Sequence, residues 1–535
     1  MKRLVILCVC LAAVLAGPAA SSAATGSSLR SLVAKKLPYP DTSSQGLSIW
    51  LNPPDGQLAT SSVRAASVSF GSNVDAANPQ EDTAGGQSEE AIAAAPGGRV
   101  MAAWNDITGI MFPPTTQAGS ITGVGYSSDG GSNFKDLVGL PNSNADEQWS
   151  GDPIIVSIDG GAHFIVGGLY APSIDACGDT HPSTFTVAVS VATPSSTGVA
   201  FTKPIVINNP GNLCALFRRR PPSNIALLDK PWMAWDQSSR TLAVSYTRDF
   251  LTGNHSGAGE IDIQRAHVPA NPLNLAPGNF SSPIIVAPER FQEQTGAYVT
   301  LAPGGDAYVA WERNLDSNIF DGNPYIYEHI ARVPSGASHP TIGGPGDAVI
   351  VTRGQSPNVN GGVKSLDGEC IAGYNRCVGN DFPRIAYDAK IGRVIVEWND
   401  ASHHPLGDIF LRAYTDSLDA ASGVMKVNED NDYTLHLMPA VSIRSDGSIC
   451  SSWYDRRLWG ASSALTDYFG ECRPAPGTNG SDFRITTGAT DWTNTSTAIV
   501  PNFGDYTDQT SAGNTTYFTW ADGRVGVPNP FVDHR

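Results

Sequence analysis

The chain has 535 residues and contains 55 glycines and 38 prolines, whereas charged residues make up only 16% of it. This composition is typical of many short strands joined by turns, and it disfavours a protein built from long helices. The formal net charge of −17 disfavours nucleic acid and anionic membrane surfaces as partners.

The N-terminal residues have the pattern of an export signal. Basic residues come first, an apolar run follows as far as Leu15, and small residues precede a cleavage point after Ala23 or Ala24. We therefore expect a signal peptide at 1–24 and a secreted protein, extracellular or periplasmic, with an uncleaved membrane anchor as the alternative. Residues 25–64 are rich in Ser, Pro and Gly, and we expect a flexible N-terminal segment there.

Of the eight cysteines, six follow the predicted signal peptide, and an even number in an exported chain favours disulfides. Proximity in the sequence favours three local bridges, which are Cys177–Cys214, Cys370–Cys377 and Cys450–Cys472. A zinc site is the alternative, but it requires clustered Cys and His ligands, and neither Cys370 nor Cys377 has a histidine nearby.

One sequence unit recurs along residues 65–535. An acidic residue, often followed by proline, precedes an alternating strand, a turn with glycine, and a second strand that ends in an aromatic and a polar residue. The seven units begin at Ser88, Asp152, Asp229, Gly296, Asp381, His436 and Gly504. Repeats of about 60 to 85 residues predict an all-β propeller with seven blades, or with six if one unit is an embellishment. A row of β-sandwiches would need longer repeats.

The last unit reaches the C-terminus with only two or three strands. Residues 66–73 could supply the missing strand, so we expect the N- and C-terminal strands to pair and to close the ring.

One turn carries a diagnostic pattern of Ser-x-Asp-x-Gly-x-x-aromatic, formed by Ser127, Asp129, Gly131 and Phe134. Ser and Asp side chains bind backbone groups of a tight hairpin, and the glycine tolerates a positive φ. We therefore expect this turn, an Asp-box, to be structural.

With this turn and the repeats, residues from about 65 onwards resemble the sialidase superfamily, whose propellers carry Asp-box or BNR repeats, and in particular its secreted exo-alpha-sialidase-like members. The segments that carry the resemblance most strongly are 88–89, 229–232, 453–457, 504–506 and 520–524.

The hairpin geometry predicts where a site would lie. In each blade the start of the first strand lies beside the end of the second, so all these ends meet at one mouth of the central channel. The starts carry Glu89, Asp152, Asp229, Asp381 and Asp505, and the ends carry Asp106, Arg313, Asp400, Asp455, Arg456, Asp522 and Arg524. The alternative is that such Asp–Arg pairs only tie neighbouring blades together.

The resemblance implies a set of site residues. Sialidases hold the carboxylate of sialic acid with three arginines, and the candidates here are Arg384, Arg456 and Arg524, with Asp455 and Asp522 beside them. They also use an acid/base carboxyl and a tyrosine nucleophile, for which Asp229 or Asp152 and Tyr506 are the candidates. The chain lacks the Arg-Ile-Pro segment ahead of the first blade, and no Tyr–Glu pair aligns.

Two function classes follow. One is an exported glycoside hydrolase of exo-alpha-sialidase-like type, and the other is a non-catalytic propeller that binds glycans or proteins. Arginines that converge would favour the hydrolase, whereas arginines held separately would favour binding. We expect a glycan or glycoprotein partner, a monomer, no membrane insertion, no required cofactor and no metal site, although the acidic mouth could bind calcium.

Overall fold

The computed structural model describes most of the chain after the predicted signal peptide. The described residues are 29–37, 44–51, 71–77, 86–107, 120–144, 146–172, 184–196, 198–253, 258–290, 294–314, 325–341, 349–355, 371–375, 382–401, 403, 406–430, 433–460, 462–495, 497 and 501–535. The predicted signal peptide, Asp381, Cys177, Cys370 and Cys377 lie outside them.

Seven antiparallel sheets form the blades of a propeller, which confirms the predicted fold class and the number of blades. The inner strands of successive blades contact one another in order, and the inner strand of the last blade contacts that of the first. This ring of inner strands surrounds a central channel.

The strands of the first four blades occur in chain order. Blade 1 contains β2 (Gln87–Ala95), β3 (Arg99–Asp106), β4 (Thr122–Ser127) and β5 (Lys135–Asp136). Blade 2 contains β6 (Gln148–Trp149), β7 (Ile154–Ile158), β8 (His163–Ala171), β9 (Thr186–Pro194), β10 (Val199–Phe201) and β11 (Ile205–Val206). Blade 3 contains β12 (Ala226–Asp236), β13 (Thr241–Phe250), β14 (Gly259–His267) and β15 (Ile284–Arg290). Blade 4 contains β16 (Gln294–Leu301), β17 (Ala307–Asn314), β18 (Tyr325–Val333) and β19 (Val349–Gln355).

The remaining blades follow the same plan. Blade 5 contains β20 (Arg384–Asp388), β21 (Arg393–Asp400), β22 (Asp408–Tyr414) and β23 (Met425–Lys426). Blade 6 contains β24 (His436–Ile443), β25 (Ile449–Asp455), β26 (Leu465–Arg473), β27 (Phe483–Arg484) and β28 (Thr490–Asp491). Blade 7 contains β29 (Asp508–Ala512), β30 (Thr515–Asp522) and β31 (Asn529–His534), and its outermost strand is β1 (Val74–Asp75).

The ring is closed by the two ends of the propeller, as predicted. β1 pairs with β31, with Val74 opposite Val532 and Asp75 opposite Phe531. The closing strand thus follows directly after the predicted segment 66–73, of which only 71–73 are described. The pairing covers what would otherwise be an exposed sheet edge.

A break in the inner strand recurs at the same point of the repeat. In blades 1, 3, 4 and 6 the pairing with the second strand skips two residues within the first four of the unit. One residue within each of these four breaks has a positive φ, and these residues are Glu89, Lys230, Gly296 and Met438. Asp152, between β6 and β7, also has a positive φ. Such bulges bend a strand and redirect its side chains, here at the mouth of the channel.

Buried tryptophans at the ends of the second strands fill the space between blades. Trp104, Trp311, Trp398, Trp453 and Trp520 are almost fully buried. In the last two blades the indole N–H donates to the aspartate two residues later, over 2.8 Å to Asp455 Oδ2 and 2.9 Å to Asp522 Oδ2. The repeated Trp-x-Asp sequence therefore has a structural role in these blades.

The described parts of the N-terminal segment pack against the propeller. Residues 29–34 are helical, and a second short helix, Gln45–Leu51, follows. We call residues 44–51 the plug. Leu47 and Trp50 of the plug join the apolar core of blades 2 and 3, and the Trp50 ring lies 5.1 Å from that of Phe185.

Candidate functional site

The mouth of the channel contains a cluster of charged side chains that the bulged strands bring together. Lys230 Nζ lies 3.1 Å from Asp505 Oδ2, and the backbone N–H of Asp505 donates to Glu89 Oε1 over 3.1 Å. All three residues are at most 6% exposed. Blades 1, 3 and 7 thus meet at this point, as the hairpin geometry predicts.

Asn105 connects Glu89 with blade 2. Its Nδ2 donates to Glu89 Oε2 over 2.7 Å, and its Oδ1 accepts from the backbone N–H of Asp152 over 2.7 Å. Asn105 stands at the end of β3, opposite Ser88 in the register. Asn105 was not among the site residues predicted from the sequence. Its position in the Trp-Asn-Asp ending of the unit could have identified it as a residue at the mouth of the channel.

The predicted catalytic residues Asp152, Asp229 and Tyr506 all belong to this cluster. Burial, followed by the charge of Asp229, raises the pKa of Asp152 to about 7. Burial also raises the pKa of Tyr506 well above its usual value, and the charges of Asp152 and Glu89 add to this effect. Among the described residues, Asp152 Oδ2, Asp229 Oδ1 and Tyr506 Oη are buried and lack a hydrogen-bond partner.

The plug covers this cluster. The backbone N–H of Ser44 donates to Asp229 Oδ2 over 3.0 Å, and that of Gly46 donates to Asp152 Oδ1 over 3.2 Å. Gln45 is fully buried between them. A Cβ atom at Gly46 would clash with the backbone oxygen of Ser150, so this position of the plug requires glycine. The plug had no signal in the sequence beyond a composition that is typical of loops.

Arg384 lies deeper in the channel than the mouth cluster. Its Nη2 is 3.0 Å from Asp508 Oδ1, on the inner strand of blade 7. Its guanidinium carbon lies 4.1 Å from the ring centre of Tyr298 and 4.5 Å from that of Trp232. Beyond this pair, the lower part of the channel contains a cavity of about 420 Å³ that is lined by all seven inner strands. The site residues predicted from the sequence did not include Asp508, Tyr298 or Trp232.

The other two candidate arginines are held elsewhere. Arg456 is buried, and it donates to Thr466 Oγ1 over 2.9 Å and to the backbone oxygens of Ser463 and Ala372. Arg524 Nε donates to Asp522 over 2.9 Å, and its other nitrogens reach residues beside the closing strand. The three guanidinia are therefore bound by three different sets of residues.

Asp455 and Asp522 have matching environments. Each accepts from a tryptophan two residues earlier and from an arginine two residues later, which is Arg457 for Asp455 and Arg524 for Asp522. Each ion pair lies within one blade. Arg456, which follows Asp455 directly, is not its partner in these contacts.

The Asp-box turn connects β4 and β5. Ser127 Oγ donates to Asp129 Oδ1 over 2.8 Å and accepts from the backbone N–H of Gly131 over 3.0 Å. Gly131 has a φ of 82°, and Phe134 packs against the core between blades 1 and 7. These contacts stabilise a hairpin far from the mouth cluster.

Three of the six cysteines predicted to form disulfides lie within the described residues. Cys450 and Cys472 form a disulfide between β25 and β26, as predicted, and Cys214 is disulfide-bonded to a partner outside the described residues. Within the described ranges, no three His, Cys, Asp or Glu side chains are grouped so that they could hold a metal ion. No helix in the same ranges has the length and apolar character needed to cross a membrane.

No family model and no curated protein matches the chain. Among solved structures it is similar to a Hadza microbial sialidase, with 9% identity over 77% of this chain and 73% of that one and a TM-score of 0.40. It is similar to a Trypanosoma rangeli sialidase in complex with sialic acid, with 11% identity over 76% of this chain and 57% of that one and a TM-score of 0.41.

A third similar structure is an alpha-L-arabinanase from Penicillium chrysogenum complexed with arabinobiose, with 10% identity over 88% of this chain and 98% of that one and a TM-score of 0.39. At such values the likeness carries no information about activity. The propeller assignment depends on the strand pairing of this chain itself.

Proposed function

We propose that the chain is a glycoside hydrolase whose reactive site is the mouth cluster. The observation that carries this proposal is the Asp152–Asp229 pair, two neighbouring carboxyl groups of which Asp152 has a pKa of about 7. Glycosidases need one carboxyl group that is protonated near neutral pH and a second that is ionised.

The roles follow from the surroundings of each group. Asp152 is the proposed general acid, because burial and its charged neighbour keep much of it protonated at pH 7. Asp229 is the proposed second carboxylate, acting on a water or on the sugar. Tyr506 is proposed to donate a hydrogen bond to substrate rather than to attack it, because its surroundings disfavour the phenolate.

The expected substrate is a neutral sugar. A sialoside needs cationic groups at its carboxylate, and the three candidate arginines are bound by separate sets of residues. The mouth carries Glu89, Asp229 and Asp505 against Lys230, so an anionic sugar would be repelled. The Cys450–Cys472 disulfide and the predicted signal peptide favour action outside the cytoplasm.

The test uses the full chain with Gly46→Val, because a side chain at this position clashes with Ser150 and should displace the plug. We expect this variant to release product from at least one fluorogenic neutral glycoside and to leave a sialoside intact. Adding Asp152→Asn should lower kcat by about 100-fold or more. No release from any glycoside, or release that Asp152→Asn leaves unchanged, would contradict the proposal; matching melting temperatures would show that both variants are folded.

A non-catalytic binding propeller is the second candidate. The plug favours it, because its backbone N–H groups satisfy one oxygen each of Asp152 and Asp229, as a bound peptide would. In that case the Gly46→Val variant binds glycan or peptide but hydrolyses no glycoside, and adding Asp152→Asn weakens the binding.

A further inference from the structure

The carboxamide of Gln45 occupies a recess that makes hydrogen bonds to both of its polar atoms. Its Oε1 accepts from Asn105 Nδ2 over 2.7 Å, and its Nε2 donates to the backbone oxygen of Pro501 over 2.7 Å. Ser88 Oγ lies between them, 2.9 Å from Nε2 and 3.2 Å from Oε1. These contacts connect residues that are distant in the sequence, so the recess is formed by the closed ring.

The polarity of this recess is fixed by its surroundings. Asn105 must point its NH₂ group to Gln45, because the same nitrogen donates to Glu89 and its oxygen accepts from the N–H of Asp152. The oxygen of Pro501 can only accept. The recess therefore offers one donor and one acceptor side by side, which matches a carboxamide, whereas a carboxylate would face the Pro501 oxygen and be repelled.

We propose that this recess is a binding subsite for the acetamido group of a neutral amino sugar, and that Gln45 is its tethered occupant. An acetamido group presents a C=O and an N–H that can take the places of Gln45 Oε1 and Nε2. The subsite lies next to the proposed acid, because Asn105 binds the backbone of Asp152. The identity of the ligand as a sugar rests on the proposed function, whereas the carboxamide chemistry rests on the contacts alone.

The plug is seated by three further features, and one of them provides the experimental handle. Ser44 and Gly46 donate to the two aspartates, and Trp50 packs into the core. Gly46→Val removes the plug by steric conflict without changing any residue of the recess. Ser31, which is exposed on the preceding helix, offers the control Ser31→Ala.

The experiment measures binding to the full chain by titration calorimetry, with N-acetylglucosamine, glucose and a synthetic peptide of residues 44–51 as probes. We expect Gly46→Val to bind N-acetylglucosamine at least tenfold more tightly than glucose, and to bind the peptide competitively with it. Wild type and Ser31→Ala should bind all three probes much more weakly. Adding Ser88→Ala to Gly46→Val should reduce the preference for the acetamido sugar by three- to tenfold.

Equal affinity for the two sugars, no binding of either, or binding of the peptide alone would overturn the proposal. Amide hydrogen exchange of residues 44–51 shows whether Gly46→Val has released the plug. An exchange rate equal to that of wild type would also overturn the proposal, because the plug would then not fit the mouth as closely as described. Binding with the expected preference but without hydrolysis would refute the proposed function and leave the subsite. Hydrolysis of neutral glycosides without the preference would do the reverse.

Discussion

Arg384 offers a quantitative test of the channel structure. It is 4% exposed, and its guanidinium lies over the adjacent rings of Trp232 and Tyr298 and against Asp508. Arg384→Met would leave the buried Asp508 carboxylate without its cation, which typically costs about 3–5 kcal/mol. We therefore expect the free energy of unfolding to fall by about that amount at pH 7.5.

The effect should depend on pH in a defined direction. Burial raises the pKa of Asp508 to about 6, and Arg384 opposes this rise, so its loss raises that pKa further. In the unfolded chain the same carboxyl titrates near 4. A carboxyl whose folded pKa lies above its unfolded pKa destabilises the fold as pH rises through this range, and only well below pH 4 is it neutral in both states. The cost of Arg384→Met should therefore shrink at pH 4.5.

Urea unfolding followed by tryptophan fluorescence at pH 7.5 and pH 4.5 measures both quantities. Arg384→Met combined with Asp508→Asn is the control, and it should recover most of the lost stability because no charge remains buried. A loss below about 1 kcal/mol at both pH values, or no recovery in the double variant, would show that Arg384 is not held as described.

Three further predictions concern other parts of the chain. Trp50→Ala removes a buried anchor worth about 3 kcal/mol, so limited proteolysis within the plug should become roughly 100-fold faster while the blades stay intact. Replacing Cys450 and Cys472 by serine opens a bridge with a sequence separation of 22 and should lower the free energy of unfolding by about 3 kcal/mol, measured by urea unfolding. Asp129→Ala breaks the Asp-box hydrogen bonds and should cost about 1 kcal/mol by the same measurement, with binding at the mouth unchanged.

The repeat explains why the architecture could be predicted. Each unit carries a similar order of turn residues and ends in a tryptophan or a tyrosine, so the repeats favour seven blades, with six as the alternative that the structure removes. The antiparallel register then places Ser88 beside Asn105 and His436 beside Asp455, as the hairpin rule requires. The gathering of Asp152, Asp229 and Tyr506 at one mouth follows from the same rule.

The side-chain directions of the arginines could not be predicted in the same way. β25 ends at Asp455, so Arg456 and Arg457 lie in the connection that follows, where no strand alternation fixes their directions, and it is Arg457 that binds Asp455. Arg384 is the first residue of β20, and its side chain reaches across the channel to Asp508. The pairing of residues 124 positions apart across the channel depends on the assembled ring.

The plug was the least predictable feature. Gln45 binds residues 43 and 456 positions away, and such contacts leave no periodic signal in a short segment rich in small residues. Leu47, Trp50 and Leu51 join the apolar core and anchor it, but a few apolar residues in a short helix are common in loops that do not pack. The closed mouth could therefore be recognised only from the folded structure.

Amide hydrogen exchange of the wild-type chain, read by mass spectrometry on peptides that cover residues 44–51, tests the closed mouth most directly. We expect the amides of Ser44 and Gly46 to exchange at least about 100-fold more slowly than in the free peptide, because both are buried against carboxylates. Exchange at the rate of the free peptide, with the inner strands still protected, would show that the plug does not close the mouth.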